Sequence, residues 1–167
     1  VLLDEITISA NMTESQVGNV GSSISIFTEE NLANSSETYL VDFLDDVTGI
    51  SSTQNGPRGT TASFFIRGLA SKYVKVIVDG IEVGDVTQPQ VSSSISGLQL
   101  SNIERIEVLK GRQSSLYGGS AVGGVISVFT KKPTKSGSKL KFETGRYGTS
   151  DLSYSYTTFG DKSLTNV

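Results

Sequence analysis

A chain of 167 residues, 36% apolar and with a formal charge of −3, can bury one modest core, and its 14 Lys and Arg are too scattered to offer a phosphate backbone a basic field. It contains no Cys and no His, which excludes disulfide frameworks and thiolate metal sites and disfavours most hydrolase and zinc chemistry. The 18 Gly against 3 Pro and no Trp point to tight turns between short strands, no apolar run approaches the roughly 18 residues of a membrane helix, and Val1-Leu2-Leu3 is too short for a signal-peptide core, so any export signal is expected to have been removed.

In chain order, residues 1–22 alternate weakly at Ile6 and Ile8 and then turn polar, which predicts a flexible arm. Ser23-Ile24-Ser25-Ile26-Phe27 alternates at period two, and Thr28 precedes Glu29 and Glu30, so a strand should pass into the N-cap of a short helix. Leu40, Phe43, Leu44 and Val47 keep the i, i+3, i+4, i+7 spacing and Gly49 supplies a stop. That predicts one amphipathic helix packed on a sheet, with Asp42, Asp45 and Asp46 on its solvated face. Residues 54–61 are dense in turn formers and predict an exposed loop before a buried strand at 63–67. Residues 74–78 and 81–83 flank Asp79-Gly80, two positions suited to the positive φ of a type I′ hairpin. The stretch 84–97 has almost no apolar anchor and predicts a second long exposed loop.

Alternation returns at 103–109, a short turn or helix fits 111–119, a strand fits 123–130, and the first unit closes near Lys132-Pro133. The glycines of Gly118-Gly119-Ser120-Ala121-Val122-Gly123-Gly124 run into a strand instead of opening a helix, which opposes a dinucleotide loop and favours close backbone approach at a tight turn. Further on, Leu140, Phe142 and Thr144 share one face against Lys139, Lys141 and Glu143, and Leu152, Tyr154, Tyr156 and Thr158 alternate with Ser153, Ser155 and Thr157. Such two-faced strands suit a transmembrane β-barrel and a half-buried soluble hairpin equally, so alternation alone leaves both open.

Ile66-Arg67-Gly68, Ile77-Val78-Asp79-Gly80-Ile81, Ile103-Glu104-Arg105-Ile106-Glu107-Val108 and the run from Ser115-Leu116-Tyr117-Gly118 through Val125-Ile126 resemble, in order and spacing, the plug-domain motifs of TonB-dependent outer-membrane receptors. Asp4-Glu5-Ile6-Thr7-Ile8-Ser9-Ala10 resembles that family's TonB box. The resemblance spans nearly the whole chain and departs at Lys110-Gly111-Arg112, where the family usually has Arg-Gly-Pro. It implies an α+β fold: an arm over 1–22 carrying the TonB box, a plug domain over 23–133 with a small mixed sheet and short helices, and over 134–167 the first antiparallel hairpin of a barrel of roughly 22 strands, which the plug would occlude.

The resemblance further implies an active transporter of the Gram-negative outer membrane, its arm facing the periplasm. It implies no enzyme activity and no cofactor, with TonB, the protein's own barrel and a small metal chelate as partners, a ferric siderophore ahead of cobalamin. Substrate would meet loops bearing Gln54, Asn55, Arg58, Thr60, Thr61, Asp85, Thr87, Gln88 and Gln90. Arg67 and Lys110 map onto basic residues that in some members pair with barrel glutamates, although Lys lacks the planar fork of Arg. Arg105 and Glu107 share a strand face and form either a cross-strand ion pair or a contact between plug and barrel. The arm, an extended segment with backbone donors and acceptors to offer, would add as a strand to a partner's sheet edge. The competing expectation is a soluble, strand-donating interaction or signalling module.

Overall fold

The computed structural model describes residues 6–7, 15–16, 23–57, 59–85, 87, 91–93, 95–132, 136–145, 148, 150–160 and 163–166. The chain divides into two units, Val1–Lys131 and Lys132–Val167.

The first unit opens on a two-stranded ribbon, β1 (Ile6–Thr7) and β2 (Ser15–Gln16), so part of the expected flexible arm is paired. β3 (Ser23–Thr28) then runs directly into α1 (Glu29–Ala33). The Asn31 Oδ1 accepts from the Thr28 amide at 3.0 Å and from its hydroxyl at 2.9 Å, and Glu29 and Glu30 sit at the positive end of the helix dipole. α2 (Leu40–Asp45) buries Leu40, Val41 and Leu44 and stops two residues short of Val47, as the chain turns through Gly49 at φ 83°. Asp45 does more than face solvent: its carboxylate accepts the Ser52 amide at 2.7 Å and ties the helix end to β4 (Ile50–Gln54).

There follow β5 (Ala62–Ile66), β6 (Val74–Val78), β7 (Ile81–Glu82), β8 (Gly84–Asp85), β9 (Ser92–Ser93), β10 (Ile103–Lys110), α3 (Ser114–Tyr117) and β11 (Gly124–Thr130). They form a five-stranded sheet of order β3-β10-β11-β6-β7, in which β11 and β6 are parallel, and a four-stranded sheet of order β4-β5-β9-β8. β10 is covered on both faces, as a strand inside a sheet between two layers must be. Ile106 and Val108 enter the main core with Leu40, Leu44, Phe64 and Ile66, and Leu109 packs on the other side with Ala121 and Val125. Phe27 and Phe43 meet edge to face at 5.1 Å and join β3 to α2. The architecture is α+β, mixed sheets with few short helices.

The Asp79-Gly80 hairpin forms as its sequence predicts, with φ of 48° and 84° and Val78 opposite Ile81. Asp79 has a second role: its carboxylate accepts the Thr130 amide at 2.9 Å and the Thr130 hydroxyl at 2.6 Å, holding the end of β11. Asp79→Ala loses both bonds and places alanine at positive φ, so it should cost roughly 2–3 kcal/mol in chemical denaturation of this chain, with Asp79→Asn losing less because Asn tolerates that φ.

The second expected loop needs correcting. Residues 84–97 contain β8 and β9, and Ser92, Ser93, Ile95 and Ser96 are buried. Ile95 anchors the segment in the main core. Two hydroxyls brace the segment, Ser63 Oγ donating to the Val91 carbonyl at 3.3 Å and Ser96 Oγ to the Thr60 carbonyl, while the buried Ser92 hydroxyl has no partner among the described residues.

The second unit is an antiparallel sheet of β12 (Gly137–Thr144), β13 (Ser150–Gly160) and β14 (Ser163–Asn166) in that order, one strand more than the expected hairpin. Leu140 lies opposite Tyr154 and Phe142 opposite Leu152. These four and Tyr156 are 50–68% exposed, an apolar row on an open sheet face.

Candidate functional site

The site residues expected from the sequence fall into three separate groups. The first is the tip between β4 and β5, where Asn55 Nδ2 donates to Thr61 Oγ1 at 3.2 Å and the Thr60 hydroxyl donates to the Pro57 carbonyl at 2.8 Å. Gln54 is half-buried at its base. The tip is therefore braced by its own polar side chains. Asp85 Oδ1 accepts the Thr87 amide at 3.0 Å and hydroxyl at 2.6 Å, an Asx-type turn beyond β8. Arg58, Gln88 and Gln90 lie outside the described residues.

The register separates these two loops. Ser93 lies opposite both Ala62 and Gly84, and β9 runs antiparallel to β5 and β8, so the chain turns after Asp85 toward the end of the sheet away from the 55–61 tip. What reaches Thr60 is Ser96, through its hydroxyl. Sequence reasoning missed Ser96, since a lone serine in a polar stretch carries no periodic signal.

The second group is a pair of cations. Ile66 to Leu69 forms a tight turn with Arg67 at φ 52° and Gly68 at φ 76°, closed by the Leu69 amide on the Ile66 carbonyl at 3.0 Å. An arginine at positive φ is strained and persists where the surroundings fix it. Here the Arg67 amide donates to the Gly49 carbonyl at 2.8 Å. One residue away, Lys110 Nζ donates to the Thr48 carbonyl at 2.7 Å. Burial, and then the Arg67 charge, hold the Lys110 ammonium below the ordinary lysine value. Beside it a groove of about 370 Å³ runs between β3 and the end of α2, lined by Phe27, Phe43, Asp46, Val47 and Lys110 among others. Lys110 thus brings a cation to a partly apolar groove, with the Arg67 charge acting on it from nearby.

The third group is Arg105 and Glu107. Their relation is an ion pair along one strand, Nε to Oε1 at 2.9 Å, with Glu107 fully buried and the guanidinium 4.5 Å from the Phe129 ring centroid. Arg105→Met should cost roughly 3 kcal/mol in denaturant unfolding, because a buried carboxylate loses its guanidinium, and adding Glu107→Leu should recover most of the loss. Of the proposed TonB box, Ile6 and Thr7 are in β1, opposite Gln16 and Ser15. Asp4, Glu5, Ile8, Ser9 and Ala10 lie outside the described residues.

Comparison with known proteins places this geometry in a family. The family model of the TonB-dependent Receptor Plug Domain matches residues 16–125. The vitamin B12 transporter BtuB of Vibrio cholerae is 32% identical over 166 residues, 98% of this chain and 27% of the relative, and BtuB of Vibrio vulnificus is 32% identical over 155 residues, 92% of this chain and 25% of the relative. The chain thus spans about a quarter of the length of these curated relatives. Among solved structures, the ferripyoverdine receptor of the outer membrane of Pseudomonas aeruginosa superposes with a TM-score of 0.71 at 17% identity, over 95% of this chain and 20% of that one. The ferric yersiniabactin uptake receptor FyuA of Yersinia pestis does so with a TM-score of 0.61 at 21% identity, over 84% and 22%. The relatives are transporters and receptors, and the family match runs from β2 through the tight turns and the glycine run to the start of β11: the chain belongs to the TonB-dependent receptor plug family.

Proposed function

We propose that this chain is the plug of an outer-membrane active transporter for a bulky metal chelate, coupled to TonB through residues 4–10. In this reading residues 1–22 are the periplasmic arm, 23–133 the plug, and 134–167 the first strands of the barrel. The observation that carries it is the apolar row of Leu140, Phe142, Leu152, Tyr154 and Tyr156, left open on a sheet in the same chain as a plug-family domain. A soluble protein would bury such a row, whereas a barrel strand turns it to lipid. The Arg67 and Lys110 pair supports a contact with barrel carboxylates, since neither has an ion-pair partner among the described residues and two adjacent cations favour an anion.

Substrate would meet the braced 55–61 tip, since the turn after Asp85 lies toward the other end of the same sheet. The relatives are named for vitamin B12 and the structural neighbours for ferric yersiniabactin and ferripyoverdine, which supports a bulky metal chelate as the substrate class. The test is purification of the full-length protein from its native membrane, mass spectrometry of any co-purified ligand, and uptake of labelled cobalamin against a labelled ferric siderophore. Uptake of neither, or a full-length protein lacking further amphipathic strands, would overturn the transport reading in favour of a soluble binding module.

A further inference from the structure

Resting on the reading of residues 4–10 as the TonB-binding segment, we propose that the arm meets TonB as a two-stranded ribbon: the energiser's edge strand adds to the outer side of β1, and β2 backs β1 from the other. Ser15 and Gln16 then belong to the docking element although they lie outside the box. The pairing itself argues for this. Ile6 faces Gln16 and Thr7 faces Ser15 in antiparallel register. In such a ladder successive pairs alternate between one that exchanges both hydrogen bonds and one whose N–H and C=O groups turn outward. Over two successive pairs, β1 therefore keeps an outward donor and acceptor, and a third strand can add without displacing β2.

Stability argues the same way. A ribbon of two residue pairs is marginal alone, and a third strand is what makes such a sheet persist. The energiser would complete an arrangement already begun, and Ile6 and Thr7 would enter the complex extended, with part of their ordering cost already met. β2 closes at Gln16, the first residue of the family match, ahead of β3 at Ser23. TonB bound to β1 is then coupled through β2 to the chain that leads into β3. An occluding role for β2 is the opposing outcome, since it would make loss of the pairing tighten TonB binding.

The experiment titrates full-length protein in detergent with the periplasmic C-terminal domain of TonB. It compares Ser15→Pro with Ser15→Ala, Gln16→Pro with Gln16→Ala, and Ile8→Pro with the unmodified protein. One position of β2 donates to β1 and the other does not, so at least one proline variant should bind about tenfold more weakly than alanine at the same position, the effect of ordering roughly one residue anew. If both proline variants bind as tightly as their alanine counterparts, or more tightly, while Ile8→Pro still weakens binding, the ribbon proposal is wrong and the box reading stands. If Ile8→Pro leaves the affinity unchanged, the box reading fails and the ribbon proposal fails with it.

Discussion

Replacing Ile8 with proline in the full-length protein should abolish energised uptake of the transported chelate while leaving its binding at the cell surface close to normal. Proline removes one backbone donor and fixes φ near −65°, which spoils a segment whose task is to pair by its backbone with a partner's sheet edge. Ile8→Ala keeps that donor and gives up one apolar contact, worth about 1–3 kcal/mol if the side chain is fully buried in the complex. The proline variant should be the more damaging of the two. Residues 1–22 carry few apolar side chains from which to build a core, so both changes should leave the core around Leu40, Phe64 and Ile106 and the 55–61 tip intact. Binding and uptake should therefore separate in cells given labelled cobalamin or a labelled ferric siderophore. Normal uptake by Ile8→Pro, or an equal loss of binding, would sink the assignment of residues 4–10.

The elements that were legible in the sequence are those where one local rule dominates. Asp79-Gly80 must turn because both positions take positive φ, and the strands of 23–28 and 103–110 must alternate or bury because their neighbours do. What was hidden depended on tertiary partners. Residues 84–97 read as exposed because apolar side chains are few, yet Ile95, the Ser96 hydroxyl on the Thr60 carbonyl and the Ser63 hydroxyl on the Val91 carbonyl hold the segment against the β4–β5 hairpin. Asp45 read as a solvated helix acid, and only the fold brings the Ser52 amide to it. The third strand of the second unit was missed because Ser163–Asn166 is short and has one large apolar residue, too little for a period to register. In the site, the charges at Arg67 and Lys110 could be named from sequence, but their convergence needed the turn at Gly49 and the strained backbone of Arg67. Arg105 and Glu107 were placed on one face correctly, whereas the choice of partner along the strand is set by packing against Phe129.

The last two glycines of the run 118–124 sit where a side chain would meet backbone, and they supply the largest expected loss of stability in the first unit. Gly124 has φ 151° and pairs with Lys110 on one side and Val74 on the other. A Cβ there would lie 2.3 Å from the Leu109 carbonyl oxygen and 2.9 Å from Ile66 Cδ1. The first contact is with backbone, so relief requires prising β10 from β11 at the centre of the sheet, and the second pushes on a side chain that is fully buried. Gly124→Ala should cost roughly 3 kcal/mol or more, from backbone strain and overpacking together, a large part of the 5–15 kcal/mol typical of a domain. Gly123→Ala meets the Tyr73 carbonyl oxygen at 3.0 Å without a positive φ, and should lose less. Gly119→Ala meets nothing within 4 Å, and should stay within about 0.5 kcal/mol of the unmodified chain. Urea midpoints of the three variants should fall in that order, Gly124 lowest. A Gly124→Ala chain as stable as the parent would mean that β10 and β11 are not packed this closely, and that the run has some other reason for its glycines.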